Sequence, residues 1–341
     1  MKESLFGKTL TELQEIVNDL GLPKFTAKQL AEWLYKKHAV SFDQMTNLSK
    51  KARATLAGLY EIGLTPPRTV QTSSDGTKKY LFKSDSKGYI EAAYIPEPKR
   101  HTLCVSSQVG CKMNCSFCAT GKQGFQANLS AKEIINQIAS IPESESLTNL
   151  VYMGMGEPLD NLDEVLKSLE ILTSDWGYGW NPRKITVSTI GIIPAMKRFL
   201  DESTCHLAVS LHNPFEEERS AIMPVNKAYP VKKIIEELKK YPFDRHRRVS
   251  FEYIVFGGVN DTRRHVNELA RLLNGINCRI NLIRFHTNPG SDLKGTDENS
   301  LMAFKEALNA KGIVTTIRAS RGQDIDAACG LLSTKTLLQE Q

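Results

Sequence analysis

The sequence predicts an α/β fold in which a small N-terminal helical domain precedes a partial or complete (β/α) barrel. Three observations lead to this prediction. Helical periodicity with capping signals fills residues 1–65, a period of two follows in residues 66–100, and strands then alternate with amphipathic helices through residues 101–320. Such alternation is typical of a parallel sheet with crossover helices, and the ligand site of a barrel of this kind lies at the C-terminal ends of its strands.

The N-terminal domain, residues 1–65, contains three predicted helices. Segments 11–14 and 26–29 fit capping boxes and predict the starts of the first two helices, and a third helix fits residues 49–59. Basic side chains along the third helix are equally consistent with RNA contact and with a solvated surface. We therefore treat this segment as an accessory domain for which a contact with RNA stays open.

Residues 66–100 predict a linker made of β-hairpins. The runs 78–83 and 89–95 alternate as strands do, and the glycine-containing segments 74–76 and 86–88 supply turns beside them.

The predicted barrel spans residues 101–320, and residues 321–341 form a C-terminal segment. Strands are predicted at 103–106, 150–153, 184–188, 206–210, 249–255, 279–283 and 314–318. Amphipathic helices are predicted at 131–138, 162–172, 193–200, 231–240, 262–273 and 301–310.

Composition narrows the class of protein. The chain of 341 residues is 41% hydrophobic and 24% charged, which is ordinary for a globular protein. It contains neither a signal-peptide pattern nor the ~20 consecutive apolar residues of a membrane span, so we expect a cytoplasmic protein without a membrane partner. The seven cysteines are an odd number and three of them crowd together, which argues against a disulfide framework. A net charge of +6 indicates only a mild preference for polyanions.

The strongest signal is a C-x3-C-x2-C run formed by Cys111, Cys115 and Cys118 directly after a predicted strand. Thiolates are the ligands of iron–sulfur clusters, and this spacing lets one loop bind three corners of a cubane. Three protein ligands leave the fourth iron open. A zinc site is the alternative, but it requires a fourth ligand and more often shows paired C-x2-C spacing.

A second motif follows the next strand, where Gly154, Gly156, Glu157 and Pro158 form a G-x-G-E-P turn. Glycines let the backbone approach a ligand closely, and a carboxylate suits an ammonium group. In this order the two motifs resemble the radical S-adenosylmethionine (SAM) superfamily. The resemblance implies a 4Fe–4S cluster whose open iron binds the amino and carboxylate groups of SAM, and whose electron cleaves SAM to methionine and a deoxyadenosyl radical.

Two further cysteines make the resemblance more specific. Cys104 lies seven residues before the first cluster cysteine, and Cys329 lies in a Gln-Asp-Ile-Asp-Ala-Ala-Cys-Gly context near the C-terminus. Both contexts resemble those of the bacterial adenine-C2 RNA methyltransferases that act on large-subunit ribosomal RNA and on transfer RNA. They are also similar to the adenine-C8 methyltransferases that confer antibiotic resistance. The resemblance covers nearly the whole chain, including the helical domain.

The resemblance implies a role for each of these two thiols. Cys329 takes a methyl group from one SAM by thiolate attack, and the radical from a second SAM removes a hydrogen atom from that methyl group. The carbon radical adds to C2 of the adenine and leaves a protein–RNA thioether. Cys104 then assists loss of the C2 proton and attacks the sulfur of Cys329, and the resulting disulfide releases the product and must be reduced before the next turnover. Cys205 and Cys278, by contrast, are interpreted as small buried side chains.

Other site residues are also implied by the resemblance. Glu91 matches the family's proton acceptor, although a strand position with alternating exposure is equally consistent with a solvated carboxylate. Contacts to SAM are implied for Gly156, Glu157, Ser188, Ser210, Leu211 and His212. One further contact departs from the family pattern, because His286 occupies the position of an expected asparagine; a histidine can donate a similar hydrogen bond.

The function implied is methylation of C2 of an adenine in 23S rRNA, at the peptidyl transferase centre, and in tRNA anticodon loops, with two SAM molecules per turnover. An external one-electron donor such as a flavodoxin and a monomeric state are expected. The closest alternative is C8 methylation. An activase that makes glycyl radicals would not need Cys104 and Cys329, and a metal-stabilised RNA-binding module would carry zinc. Basic clusters at 245–248 and 263–264 fit phosphates or a solvated face equally well.

Overall fold

The computed structural model describes residues 2–286 and 292–334. Residues 335–341 of the predicted C-terminal segment therefore lie outside the described residues. The helices are α1 (Leu10–Asp19), α2 (Thr26–Tyr35), α3 (Lys50–Leu59), α4 (Ala119–Gln123), α5 (Ala131–Ala139), α6 (Leu162–Thr173), α7 (Ile193–Glu202), α8 (Glu216–Ile222), α9 (Val231–Leu238), α10 (Arg263–Leu273) and α11 (Glu298–Ala310).

Most of the strands belong to one large sheet, and two short pairs lie outside it. The strands are β1 (Glu3–Ser4), β2 (Tyr60–Glu61), β3 (Thr69–Thr72), β4 (Lys78–Lys83), β5 (Tyr89–Glu97), β6 (Arg100–Cys104), β7 (Gln108–Val109), β8 (Ala127–Asn128), β9 (Asn149–Tyr152), β10 (Ile185–Thr189), β11 (His206–Ser210), β12 (Val249–Val255), β13 (Cys278–Arg284) and β14 (Val314–Ile317).

The ten-stranded sheet has the order β14-β13-β12-β11-β10-β9-β6-β5-β4-β3. From β6 to β14 the pairings are parallel and follow the chain order, as expected when each strand is connected to the next by a crossover helix. Within the described residues β14 ends the sheet on one side and β3 on the other, so the predicted barrel is partial. The antiparallel hairpins β3–β4–β5 extend the same sheet through β5 and β6.

The predicted strands of the barrel are all present, with shifts of at most three residues at their starts. The first begins at Arg100 instead of residue 103, because its outer half pairs with β5. The short helices α4 and α8 were not predicted. Helix α8 has three consecutive glutamates in its first turn, where the helix dipole favours negative charge, but its seven residues are too few to show a clear period.

The N-terminal domain packs its three helices around a core of its own. Capping by Ser49, which accepts from Ala52 N at 3.1 Å, confirms the predicted start of α3. The other two capping boxes were placed wrongly: α1 is capped by Thr9 together with Glu12, and α2 follows Phe25 without a side-chain cap. The apolar core of the domain continues into α5 and α6 of the barrel, which fixes the domain against the barrel's outer face.

Along the barrel strands, alternate residues face the helices and an internal cavity. In β12, Phe251 and Tyr253 are buried in the main core, whereas Ser250, Glu252 and Ile254 line the cavity. The period of two therefore places polar side chains of several strands around one interior space.

Candidate active site

A cavity of 590 Å³ lies inside the curve of the parallel sheet. Its wall includes the three-cysteine loop, the C-terminal ends of the strands and also their N-terminal ends, so the cavity extends along the whole length of the strands. A volume of this size is typical of sites for small molecules and cofactors.

The cluster loop connects β7 to α4 and presents three thiols to this cavity. Cys111, Cys115 and Cys118 all line the wall. The loop is tight, because Cys118 N donates to Cys115 O at 3.1 Å, and it is fixed to the barrel by a hydrogen bond of 3.0 Å from Ser116 N to Ile222 O. The local sequence thus brings together the three predicted ligands.

The donor set fits a cubane cluster. Within residues 2–286 and 292–334 no three histidine, cysteine or acidic side chains converge on one point for a single metal ion; a cluster does not require this, since each thiolate binds its own iron. Burial raises the pKa of Cys111 to about 12 and that of Cys115 well above its ordinary value, and neighbouring thiols add to both shifts. Thiols in such surroundings are ligands when bound iron compensates their charge.

The turn after β9 holds a buried carboxylate beside the cluster loop. The side chain of Glu157 accepts from Thr189 Oγ1 at 2.6 Å, Ile190 N at 3.0 Å and Leu159 N at 3.1 Å. Burial raises the pKa of Glu157 to about 7 in spite of these donors. A ligand ammonium group in the cavity would favour the charged carboxylate, so this turn fits the amino group of an amino-acid ligand.

The turn is shaped by Gly156, whose φ is +96°. A Cβ there would lie 2.5 Å from the Cβ of Gln108, and Gln108 in turn accepts from Glu157 N at 2.9 Å. Only glycine fits this backbone and this approach. Gly156 thus permits close packing against Gln108, and this packing positions the carboxylate of Glu157.

Four of the other five predicted contacts line the cavity and one does not. Ser188 and Ser210 are half-buried on the cavity wall, and His212 is buried on it. His212 accepts from Ile254 N at 3.0 Å through Nδ1, and burial with the nearby Arg219 lowers its pKa to about 3, so its proton lies on Nε2. Leu211 is fully buried beside the wall and is not part of it.

His286, the departure from the family pattern, is half-buried on the cavity wall after β13. Its Nε2 lies 2.7 Å from Ser320 Oγ, and burial lowers its pKa. The ring is therefore neutral near pH 7, and its contact with Ser320 orients it.

Cys104 and Cys329 line the same cavity from opposite parts of the chain. Both are free thiols. Cys104, at the end of β6, is buried, and this raises its pKa to about 12, with a further contribution from Cys329. Cys329 is exposed to the cavity, yet protein surrounds it closely enough that burial raises its pKa as well. Folding thus brings together the two thiols that are most distant in sequence.

Glu91 is fully buried on β5 and does not line the cavity. Its carboxylate lies 3.4 Å from Lys79 Nζ and accepts from Ser333 N at 3.0 Å, so the C-terminal segment covers it. Burial raises the pKa of Glu91 against the opposing effect of Lys79. The structure therefore excludes the interpretation of this carboxylate as a solvated surface group.

Sequence reasoning missed Arg318 and Glu252, which lie beside the two thiols. The Arg318 guanidinium pairs with Glu252, with Nε 3.2 Å from Oε2, and Asn281 Nδ2 also donates to Glu252 at 2.8 Å. The positive charge of Arg318 lowers the pKa of both Cys104 and Cys329 and opposes the effect of burial. The only sequence signal for Arg318 was its position at the end of a predicted strand.

Arg219 on α8 was also missed. This fully buried guanidinium donates to carbonyls at the ends of β10 and β11, namely Ile190 O at 3.0 Å, Ser210 O at 2.9 Å and Leu211 O at 3.0 Å. It thereby fixes the strand ends that carry the predicted cofactor contacts. A buried arginine held by carbonyl groups leaves no pattern in the sequence.

Two family models match parts of this chain. The model of the radical SAM superfamily matches residues 105–273, and that of the ribosomal RNA large subunit methyltransferase N-terminal domain matches residues 4–62. The probable dual-specificity RNA methyltransferase RlmN of Phocaeicola vulgatus is 57% identical over 340 residues, which cover 100% of this chain and 97% of the relative. The chain belongs to the RlmN family.

Other RlmN relatives and a solved structure agree. The dual-specificity RNA methyltransferase RlmN of Syntrophus aciditrophicus is 43% identical over 96% of each chain. A radical SAM methyltransferase from Sphaerobacter thermophilus superimposes with a TM-score of 0.91 at 39% identity, covering 98% of this chain and 100% of that one. As an RlmN-family radical SAM enzyme, the protein uses a 4Fe–4S cluster and SAM. No helix of the described ranges is long and apolar enough to cross a membrane.

Proposed function

We propose that this enzyme methylates C2 of an adenine in 23S rRNA and in the anticodon loops of tRNA. The observation that carries the proposal is the pair of free thiols, Cys104 and Cys329, in one cavity with the three-cysteine loop. A radical SAM enzyme needs only the three-cysteine loop to cleave SAM. Transfer of a methyl group to an electron-poor aromatic carbon also requires a carrier for the methyl group and a means of releasing the methylated product. The full-length similarity to the RlmN relatives supports the same activity.

Each residue has a role in this proposal. Cys111, Cys115 and Cys118 hold the cluster, and Gly156, Glu157, Ser188, Ser210, His212 and His286 hold SAM, with Leu211 supporting them through its backbone. When bound, SAM would supply a methyl group to the Cys329 thiolate. The cluster and a second SAM together would supply the radical that removes a hydrogen atom from that methyl group. Cys329 carries the methyl group as a thioether, which then links protein and RNA. Glu91 accepts the C2 proton once the segment around Ser333 moves aside, and the one electron that the radical adduct must also lose would be taken up by the oxidised cluster.

Release of the product depends on Cys104. Its thiolate attacks the sulfur of Cys329, the bond from that sulfur to the carbon on the adenine breaks, and the carbon takes the electron pair and a proton to become the methyl group. The two cysteines are left as a disulfide, which cellular thiols reduce. Arg318 is a positioning residue in this scheme, because its charge favours both thiolates.

The pH dependence of the first methyl transfer tests the role of Arg318. Because the thiolate is the nucleophile and burial raises the pKa of Cys329, the rate of Cys329 methylation should rise about tenfold per pH unit below that pKa. In Arg318→Met the pKa should rise further, so the profile shifts to higher pH while the plateau rate is kept. Mass spectrometry of the Cys329 peptide against time, before RNA is added, measures this rate.

Arg271→Met is the matched control, since Arg271 pairs with Glu268 on the outer helix α10. An unshifted profile in Arg318→Met, or an equal shift in both variants, would contradict the role assigned to Arg318.

The product distinguishes the proposal from C8 methylation. RNA treated with the reconstituted enzyme, SAM and a one-electron donor is digested to nucleosides and separated by chromatography. We expect 2-methyladenosine; 8-methyladenosine alone would establish the alternative. A product labelled from deuterated methyl groups of SAM should retain two of the three deuterons, because one leaves with the abstracted hydrogen.

The setting of the reaction belongs to the same proposal. We infer an external one-electron donor such as a flavodoxin, a monomeric enzyme and a cytoplasmic location. A reducing compartment suits free thiols and an iron–sulfur cluster, and both RNA substrates function there. Light scattering of the anaerobically purified protein should give a mass near the 38.1 kDa of one chain.

A further inference from the structure

The end of the cavity opposite the cluster loop is surrounded by arginines. Arg248 immediately precedes β12, Arg183 lies two residues before β10, Arg100 begins β6, and Arg279 is the second residue of β13; all four line the cavity. We call these four residues the arginine mouth. They come from separate strands, and the parallel register of the sheet brings their N-terminal ends together at one edge.

The charge of the arginine mouth is not neutralised by neighbouring carboxylates. None of the four guanidinium groups forms an ion pair with an acidic side chain in the described ranges, although Glu97 acts on Arg100 at longer range. Burial lowers the pKa of Arg248, and the positive charges of Arg279, Arg100 and Arg183 lower it further. Burial also lowers the pKa of His206, at the start of β11, to about 4, together with the charges of Arg248, Arg279, Arg183 and Arg247. Repulsion of this kind is relieved by an anion.

The basic clusters at 245–248 and 263–264 differ from the arginine mouth, because Arg247 and Arg264 have partners within the protein. Arg264 pairs with Glu218 at 2.5 Å and stacks on the ring of Phe215. Arg247 donates to Leu200 O at 2.6 Å at the end of α7, so it supports the fold. Of the cluster 245–248, only Arg248 lines the cavity.

At the end of the cavity beside the cluster loop, the C-terminal segment is attached to α4. Ala119 N donates to Gly330 O at 2.8 Å, and Thr120 Oγ1 donates to Leu332 O at 2.7 Å, so the C-terminal segment is joined to the start of α4 next to the cluster loop. The arginine mouth, by contrast, includes three exposed arginines, Arg100, Arg183 and Arg248, and so suits the approach of an anionic macromolecule to Cys329. Four strand steps, from His206 to Ser210, span roughly 13 Å at ~3.3 Å per residue, so the mouth lies about one strand length from the C-terminal strand ends.

Resting on the proposed function, we propose that the RNA enters through the arginine mouth, where Arg100, Arg183, Arg248 and Arg279 bind the phosphates on either side of the flipped target adenine. Guanidinium groups match phosphate oxygens in charge and in bidentate geometry. The base then extends through the cavity, along the direction of the strands, towards Cys329 and Cys104. Binding at the mouth thus compensates the cost of unstacking the base.

The test measures RNA binding by the full-length holoenzyme as a function of salt. The probe is a labelled RNA stem-loop with an unpaired adenine in its loop, and the variants are Arg183→Ala, Arg248→Ala, Arg279→Ala and the triple variant. Each lost phosphate contact should reduce the slope of log Kd against log salt by about one, and should weaken binding on the order of tenfold at 0.1 M salt. Arg248→Lys should keep the slope.

Two controls make the result decisive. Arg245→Ala removes the same charge three residues from Arg248 but outside the cavity, so its slope should equal that of the wild type. Methylation of Cys329, which precedes RNA binding, should proceed normally in all variants. An unchanged slope in the triple variant, an equal change in Arg245→Ala, or loss of Cys329 methylation along with binding would overturn the proposal. Failure of the proposed function would appear separately, as wild-type enzyme that binds RNA but forms no 2-methyladenosine.

Discussion

A Cys104→Ala variant is expected to accumulate a covalent adduct between protein and RNA instead of releasing methylated RNA. In the proposed reaction the bond from the Cys329 sulfur to the carbon on the adenine is broken only when a second thiol attacks that sulfur. Cys205 and Cys278 do not line the cavity, and the three loop cysteines are committed to iron. No other described cysteine is therefore placed to replace Cys104. The adduct should approach one RNA per protein, visible as a retarded band on a denaturing gel.

Cys329→Ala should behave in the opposite way. Without the carrier thiol, neither a methylated peptide nor an adduct can form, and the yield of 2-methyladenosine should fall below detection. The double variant should resemble Cys329→Ala, because the step that needs Cys329 comes first. Cys278→Ala is the matched control, since this half-buried thiol lies at the start of β13, and its activity should be retained. Multiple turnovers by Cys104→Ala would contradict the release step.

The two thiols differ in their exposure to the cavity: Cys104 is buried and Cys329 is exposed. Burial raises the pKa of Cys104 to about 12, so near pH 8 it is almost entirely a thiol and a poor nucleophile. For Cys329, which is exposed to the cavity, the Arg318 guanidinium is the largest effect that opposes burial. In the proposed reaction, this exposure favours Cys329 as the thiol that takes the first methyl group and leaves the buried Cys104 for the later step.

Sequence patterns predicted the barrel well because its strands are apolar runs bounded by polar turns. The strands β11 and β12 begin and end at the predicted residues. The capping of α1 shows the limit of such patterns: Thr9 with Glu12 and Thr11 with Gln14 fit the same signature. The structure uses the first pair, and Glu12 also accepts from Lys167 of α6 at 2.6 Å, a tertiary contact that a local pattern does not contain.

The candidate site was predictable where its chemistry is local and unpredictable where it is assembled. The cluster cysteines lie within one short loop, so their spacing identified them. Arg318, Glu252 and Arg219 act through partners on other elements, and a lone charged residue in a sequence is indistinguishable from a solvated one. The arginine mouth is the clearest case, because each of its residues lies at or near the start of a different strand. Only the register of the parallel sheet brings the four charges together.

Gly156→Ala is expected to abolish SAM binding and to lower the free energy of unfolding by about 2–5 kcal/mol. The positive φ of +96° contributes roughly 1–2 kcal/mol for a residue with a Cβ. The new Cβ would also lie 2.5 Å from the Cβ and 2.8 Å from the backbone nitrogen of Gln108, and overpacking of this kind costs about 1–3 kcal/mol. Relief of the clash must move Gln108, the acceptor for Glu157 N, so the carboxylate that we propose for the SAM amino group shifts with it.

Gly179→Ala separates the effect of backbone strain from that of the clash with Gln108. Gly179 also has a positive φ, +67°, but nothing lies within 4 Å of the position of its Cβ, and the residue is exposed. This variant should therefore lose only about 1–2 kcal/mol from backbone strain and should bind SAM as the wild type does. Urea unfolding measures the first quantity and equilibrium dialysis of the reconstituted enzyme the second. If both glycine variants lost the same stability and kept SAM, the packing of the Gly156 turn against Gln108 would not be what positions Glu157.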